Sequence, residues 1–434
     1  MAVVPPESTP AITHSEPTCT STGPPLSKGI TTSGEFVKGL FPIEATGVST
    51  EQTRWAAEKF LAALSEQQRK KTSFPIDDDE WRRWSNVDNG LFARQGVSIK
   101  ELDQTQRKLA FDFMQTALSA KGYHLSRDIM KTNQTTRELN DNDPAYDEEL
   151  YFFTIMGTPS KTEPWGWQLD GHHLVINYFI LGDQVVMTPV FMGAEPVIAK
   201  AGKYKGNTLF QDEQNFGLKF MQSLSEQQQA KATLAKAKAK HNFKTDAFKD
   251  NVTVEYEGIP ASELNQQQQR ALLNLANQYI SNMNDGHAKV KLAEIKKHLG
   301  DTYFAWIGPV DDEAVFYYRI HSPVILIEFD HQASIAMPSL KGKGPTRAAH
   351  PYVSPHSQRQ RFAAAAFGAT PSSRRVICVA LRSSHVDVEK PVLRFEKESR
   401  QPGRKDSRIE TVPVCSQTIC TVSRFNIPGR TRRL

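Results

Sequence analysis

Thiols are scarce: 434 residues carry four cysteines, with none between Thr20 and Ile377. This excludes a disulfide scaffold and predicts a reducing, cytoplasmic setting. Long apolar runs are lacking as well. No stretch approaches the roughly 18 uncharged apolar residues of a membrane helix, and the Pro/Ser/Thr-rich start lacks the basic-then-apolar order of an export signal. The sequence therefore predicts no membrane partner. Up to Asp330 there is no Gly-rich phosphate loop, zinc-ribbon spacing or Ser nucleophile elbow, which removes the most easily read enzyme classes. Apolar residues make up 39%, low enough to predict that part of the length is unpacked.

Charge is abundant but unevenly placed. From His331 to Leu434 there are 14 Arg and 5 Lys against 6 acids, a net of +13, which leaves −8 for the first 330 residues. A basic tail on an acidic body would bind nucleic acid only nonspecifically, through phosphates. Met1–Val48 reads as a disordered leader, because no apolar period is sustained there.

Between these ends one pattern occurs four times, at Leu64-Ser65-Glu66-Gln67-Gln68, Leu102-Asp103-Gln104-Thr105-Gln106, Leu224-Ser225-Glu226-Gln227-Gln228 and Leu264-Asn265-Gln266-Gln267-Gln268. A Ser, Asp or Asn followed three residues later by Gln is a capping box, and the irregular spacing argues for independent helix starts rather than a solenoid. Helices are predicted over 53–64, 104–119, 208–223, 226–240, 266–282 and 286–299. Strands are predicted over 151–156, 167–181, 184–191, 303–307, 315–320 and 324–329. The clustering of helical runs apart from strand pairs predicts an α+β fold: an antiparallel sheet with helices packed mainly on one side. The predicted domain is 49–347.

Two constellations carry chemistry. In Pro164-Trp165-Gly166-Trp167 through Asn177-Tyr178, the adjacent His172 and His173, read as part of one strand, would face opposite sides. Imidazole is a common metal ligand. In Val324 through His331, Glu328 and Asp330 share a face, and buried carboxylates need a partner or a cation. Trp165, Trp167, Trp306, Tyr317 and Tyr318 could wall a pocket.

These segments, with Pro75-Ile76-Asp77-Asp78, Gly171-His172-His173-Leu174, Gly193-Ala194-Glu195-Pro196 and Ile327-Glu328-Phe329-Asp330, resemble the domain of unknown function 3500 family over about residues 53–347. The family pattern continues with a stretch resembling His-Ile-His-Thr, two apolar residues, Arg-Thr, any residue and Asn-Gly-Asn-Asp. This chain instead has Ala348-Ala349-His350-Pro351-Tyr352-Val353-Ser354-Pro355-His356. Its degenerate codons, read one nucleotide later, permit Gln-His-Ile-His-Thr-Phe-Leu-Arg-Thr-Ala-Asn-Gly-Asn-Asp. The expectation is a change of reading frame near Arg347, with 348–434 an off-frame, disordered tail.

The leading functional expectation is a metal-dependent hydrolase acting on a small molecule. His172, His173, Glu328 and His331 would hold Zn, Fe or Mn, Glu328 and Asp330 would be catalytic, and Trp165, Trp167, Asn177, Trp306 and Arg319 would line the pocket. This requires one of the paired imidazoles to reach Glu328 or Asp330. The alternative is a non-catalytic binding module in which the same His and acids form a structural network.

Overall fold

The computed structural model describes residues 33, 37, 39–239, 241–245, 252–337 and 344–347. Most of the expected leader and all of the expected tail lie outside the described residues. The described end of the leader is packed. Phe41 is buried, and Thr46 Oγ1 and the Gly47 N–H donate to the carbonyl and carboxylate of Asp183 at 2.7 and 2.8 Å.

The four Gln motifs each close a capping box, which contributes about 0.5 to 2 kcal/mol apiece. They start α2 (Glu66–Thr72), α3 (Gln104–Ala117), α6 (Glu226–Ala232) and α7 (Gln266–Ile280). They are not independent. The side-chain amides of Gln68 and Gln106 bond one another, as do those of Gln228 and Gln268. Lys71–Glu101 and Lys231–Glu263 bridge the same helix starts. The irregular spacing conceals one arrangement used twice, about 160 residues apart.

The duplication runs through the whole body. Repeat 1 comprises α1 (Glu51–Ala63), α2, β1 (Ser73–Phe74), β2 (Val97–Ser98), α3, α4 (Ala120–Leu139), β3 (Tyr151–Met156), β4 (Trp165–Gly171), β5 (Leu174–Leu181) and β6 (Gln184–Met192). Repeat 2 follows the same order with α5 (Gln211–Gln222), α6, β7 (Thr233–Ala235), β8 (Ile259–Pro260), α7, α8 (Asp285–Lys297), β9 (Tyr303–Ile307), β10 (Tyr317–Ser322) and β11 (Ile325–Asp330). Each repeat builds its own sheet, β1-β3-β4-β5-β6 with β2 on β3, and β11-β10-β9-β7 with β8 on β9. The pairing is antiparallel except for β1 with β3 and β7 with β9. Even the tightest backbone approach recurs: Gly96 and Gly258 have φ of +93° and +94°, and a Cβ on either would collide with a β-strand carbonyl, of Phe153 or Phe304.

The repeats meet about a pseudo-two-fold axis. Leu118 and Met283 pair as an isolated bridge. The Ser119 N–H donates to Asn282 O and the Asn284 N–H to Ala117 O, both at 3.1 Å. The capping side chains of α4 and α8 repeat the exchange, Ser119 Oγ to Ser281 O and Asn284 Nδ2 to Thr116 O. Equivalent residues thus contact one another reciprocally, as in a symmetric dimer interface.

Strand alternation sorts the side chains onto two faces. Trp165, Trp167, Ile176 and Tyr178 in repeat 1, and Tyr318, Ile320, Ile327 and Phe329 in repeat 2, enter the main core with the helices. Phe60 of α1 meets Phe153 edge-on at 5.7 Å, and Phe220 of α5 meets Phe304 in the same way at 4.7 Å. Fully burying such a ring stabilises by about 1.5 to 3 kcal/mol. The other face is covered by the connections from β1 to β2 and from β7 to β8, through Trp81 and Trp84 in repeat 1 and Val254 in repeat 2.

Three expectations about elements change. α4 was not foreseen because its buried face sets only Ile129 and Met130 among Gly122, Ser126, Thr132, Asn133, Thr135 and Thr136, too few apolar residues to sustain a period. The helix expected to Lys240 ends at Ala232, where Thr233 caps onto Gln229 O and the chain joins β9. The strand expected over 167–181 is a hairpin turning at His172-His173.

Candidate functional site

In repeat 2 the covered face is charged. Arg319 and Glu328 are register partners on β10 and β11, and both are fully buried. The Glu328 carboxylate accepts from Lys244 N at 2.9 Å, Thr245 N at 3.2 Å, Thr245 Oγ1 at 2.6 Å and Tyr317 Oη at 2.6 Å. A carboxylate offers about four acceptor positions, so Glu328 is saturated. Arg319 Nη2 donates to Glu257 at 2.5 Å. Asp330 pairs with Lys238 at 3.0 Å and accepts from Asn242 N and Gln332 Nε2. Burial pushes its carboxyl up to about 6, against the pull of Lys238. The His331 Nδ1 accepts the Phe316 N–H at 3.0 Å, and its Nε2 lies 2.9 Å from Gln214 Oε1, which assigns the proton to Nε2. Burial drives its pKa down to about 3.

In repeat 1 the paired histidines sit at the tip of the β4–β5 hairpin. A φ of +61° at His173 turns the chain there, so the rings do not take opposite faces but stack, with centroids 3.8 Å apart. The polar side of α4 holds this tip. Asn133 Oδ1 is 2.6 Å from His172 Nδ1, and one turn later Thr136 Oγ1 donates to the Glu195 carbonyl. The Gly193 N–H donates to His173 O at 2.8 Å, which brings the segment after β6 alongside the pair. Glu195 Oε1 gathers Ser334 Oγ and the amides of Ile335, Ala336 and Met337 at 2.9 to 3.0 Å, so the strap leaving β11 is anchored here. Tyr146 packs 5.3 Å from the His172 ring, and burial raises its hydroxyl to about 12.

Among the described residues the expected convergence is not seen: His172 and His173 lie on the first sheet, while the described partners of Glu328 and Asp330 belong to repeat 2 and the segment that follows it, and none of these is an imidazole. Among the described residues no three His, Cys, Asp or Glu are placed to hold a metal ion. The donors also fail chemically: His331 has no lone pair left, and Glu328 has none to spare. The expected set does not fit Zn, Fe or Mn. Trp165, Trp167 and Trp306 are enclosed rather than lining an opening, with Trp167 packed between Phe113 and Tyr178 at 5.2 and 5.4 Å. Asn177 does face the covered side, where it takes the Gln168 amide at 2.8 Å. Glu195, Asn133 and Tyr146 were not singled out as site residues. A Glu-Pro step three residues past the strand that ends at Met192 was the available signal for the first.

An open cleft of about 410 Å³ lies where the N-terminal ends of α1 and α8 meet α3. Gln52, Asp112, Gln115, Thr116, Asn284 and His287 present hydrogen-bonding groups to it. Its lining carries little net charge. Lys108 pairs with Asp112 at 2.6 Å, and burial lowers His287 to about 4, so that the ring is neutral at pH 7.

No match was found among curated proteins or among solved structures. Residues 46–352 match the family described as Protein of unknown function (DUF3500), and with more than half its length in that match the chain belongs to this family.

Proposed function

We propose that this protein is a non-catalytic binding module for a small, uncharged, hydrogen-bonding molecule, taken up in the cleft between α1, α3 and α8. The observation that carries the reading is the saturation of Glu328 and His331. Groups whose lone pairs are already consumed by protein donors can fix a fold, but they cannot bind a metal or abstract a proton without breaking those bonds. The cleft supports the other half. Its volume is within the range of small-ligand sites, and its amides, hydroxyls and neutral imidazole offer donors and acceptors without a net charge to attract ions. A thermal-shift screen of neutral monosaccharides, polyols and small amides tests it. The expected result is a stabilising compound whose effect is reduced at least tenfold in apparent affinity by Gln115→Ala, an exposed side chain whose loss spares the core. Ester or amide hydrolysis that needs added Zn²⁺ or Mn²⁺ and disappears in Glu328→Gln would overturn it.

A further inference from the structure

The pseudo-two-fold axis that relates the repeats also relates two places where three helix ends meet. In one, the first turns of α1 and α8 meet the last turn of α3, and this is the open cleft. In the other, the first turns of α5 and α4 meet the last turn of α7, and the chain bridges them with one of its own side chains. Lys121 Nζ donates to Gln278 O at 2.7 Å and to Gln278 Oε1 at 3.2 Å, and it pairs with Glu213 at 3.4 Å. A hydrocarbon stem with a polar tip thus ties the three ends together.

Equivalent positions explain why the first place stays open. The reciprocal caps Ser119 and Asn284 set Gly286 in the place of Lys121 and His287 in the place of Gly122. Gly286 has no side chain to send across, and a Cβ there would strike Val48 Cγ1 at 2.5 Å. The matching rings Phe60 and Phe220 set Thr53 in the place of Glu213, so the acid that pairs with the ammonium is missing as well. What the open copy has instead is His287. Its side chain lines the cleft, is only 5% exposed, and makes no hydrogen bond to any described residue. Buried polar groups are ordinarily paired. A neutral imidazole facing a cleft offers one donor and one acceptor to a molecule from outside the chain.

Building on the reading of this cleft as a ligand site, we propose that its ligand is a primary amide or alcohol on a short, straight hydrocarbon stem, with its polar head on His287 and the last turn of α3. The head both donates and accepts, as the imidazole and the Gln115 amide do. It is uncharged, because an entering ammonium would give up water without the carboxylate that Glu213 supplies in the other copy. Asp112, the one acid in the lining, is already paired with Lys108. The stem takes the part played by the Lys121 methylenes.

Ligand-observed NMR titration of the full chain with butanamide, N,N-dimethylbutanamide and n-propylammonium tests the proposal. Butanamide should bind with a dissociation constant of about 10 mM or below, as a ligand of this size can. The dimethyl amide, which has no donor, and the ammonium should bind at least tenfold more weakly, and His287→Leu should abolish butanamide binding. Lys121→Ala vacates the second copy and leaves Glu213 in place. There n-propylammonium, which restores the atoms removed, should raise the melting temperature while butanamide does not. Tighter or equal binding of the ammonium or the dimethyl amide to the unmodified chain overturns the proposal whether or not either variant folds. So does butanamide binding that survives His287→Leu, and so does equal stabilisation of Lys121→Ala by the amide and the ammonium. Binding of none of the three also overturns it; a monosaccharide or polyol whose binding still depends on Gln115 would then leave the cleft itself standing as a ligand site.

Discussion

The two repeats share a framework and differ on one face. At the centre of the covered side, repeat 1 pairs two amides, Gln168 with Asn177, where repeat 2 sets Arg319 opposite Glu328. Next to that centre, repeat 1 has an ion pair, Arg94 with Asp170 at 3.1 Å, where repeat 2 has Tyr256 over His321 at 4.6 Å. Charge has moved from one position to the other while the strands, caps and aromatic contacts stayed in place. The lesson is about which constraints are strict. Apolar alternation and capping are fixed by the fold, whereas a buried polar position accepts any chemistry whose partner changes with it.

The largest expected effect separates the two centres. Glu328→Ala strands the donors of Lys244, Thr245 and Tyr317 and leaves the buried Arg319 charge beside a vacancy, a loss of about 3 to 5 kcal/mol. Asn177→Ala in repeat 1 removes a neutral partner and should cost about 1 to 3 kcal/mol. Denaturant unfolding measures both, and equal losses would mean that the repeats do not differ as described. Transplanting the repeat 1 pair, Arg319→Gln with Glu328→Asn, should cost less than Glu328→Ala alone, because the one charge that loses its partner, Glu257, is open to solvent rather than buried.

The pH dependence should also separate Glu80 from the buried histidines of repeat 2. Burial raises Glu80, on the cover of repeat 1, to about 8, with Arg83 opposing and Asp170 adding. The folded state then holds this proton more tightly than the unfolded state does, so stability is lost as pH rises from about 4.5 to 8. In repeat 2, burial lowers His321 and His331 to about 3. There the unfolded state binds the proton more readily, and stability is lost as pH falls from about 6.5 to 3. Melting temperatures across this range should decline on both limbs. Glu80→Gln should flatten the decline between pH 6.5 and 8 and leave the acid limb alone; an unchanged alkaline limb would reject the assignment.

The smallest effect tests the duplication itself. Gln68→Ala and Gln228→Ala each remove a capping-box partner and one amide pair, so each should cost about 1 kcal/mol. The two losses should agree within about 0.5 kcal/mol. A clear inequality would show that the matching hydrogen bonds do not carry matching energies.

Much of this was legible in the residues. The α+β class, the longer strands β3 to β6 and β9 to β11 and all four caps follow from Ser, Asp or Asn three residues before Gln and from β-branched and aromatic alternation, whereas the two- and three-residue strands β1, β2, β7 and β8 carry no such signal. The shared face of Glu328 and Asp330 follows from strand phase alone. What was not legible was relation. The Gln68–Gln106 and Gln228–Gln268 pairs join helices far apart in sequence, so four motifs read one at a time did not disclose two repeats. α4 escaped because most of its buried face is Gly, Ser, Thr and Asn around Ile129 and Met130, and the burial of Asn133 and Thr136 depends on partners, His172 and Glu195, that no local pattern names. The paired histidines were assigned to strand faces because nothing in their spacing signals a left-handed residue at His173. Residue type suggested ligands, but whether a lone pair is free depends on donors such as Tyr317 and Phe316 that only the fold supplies.

On the function proposed above, the His and acid networks hold the fold together and bind no metal. The most direct test is elemental analysis of the purified full chain together with its melting curve before and after exhaustive chelation. The account predicts less than about 0.1 equivalent of Zn, Fe or Mn and superimposable melting curves. One equivalent of bound metal, lost with a fall in melting temperature on chelation and absent from Glu328→Gln, would contradict it.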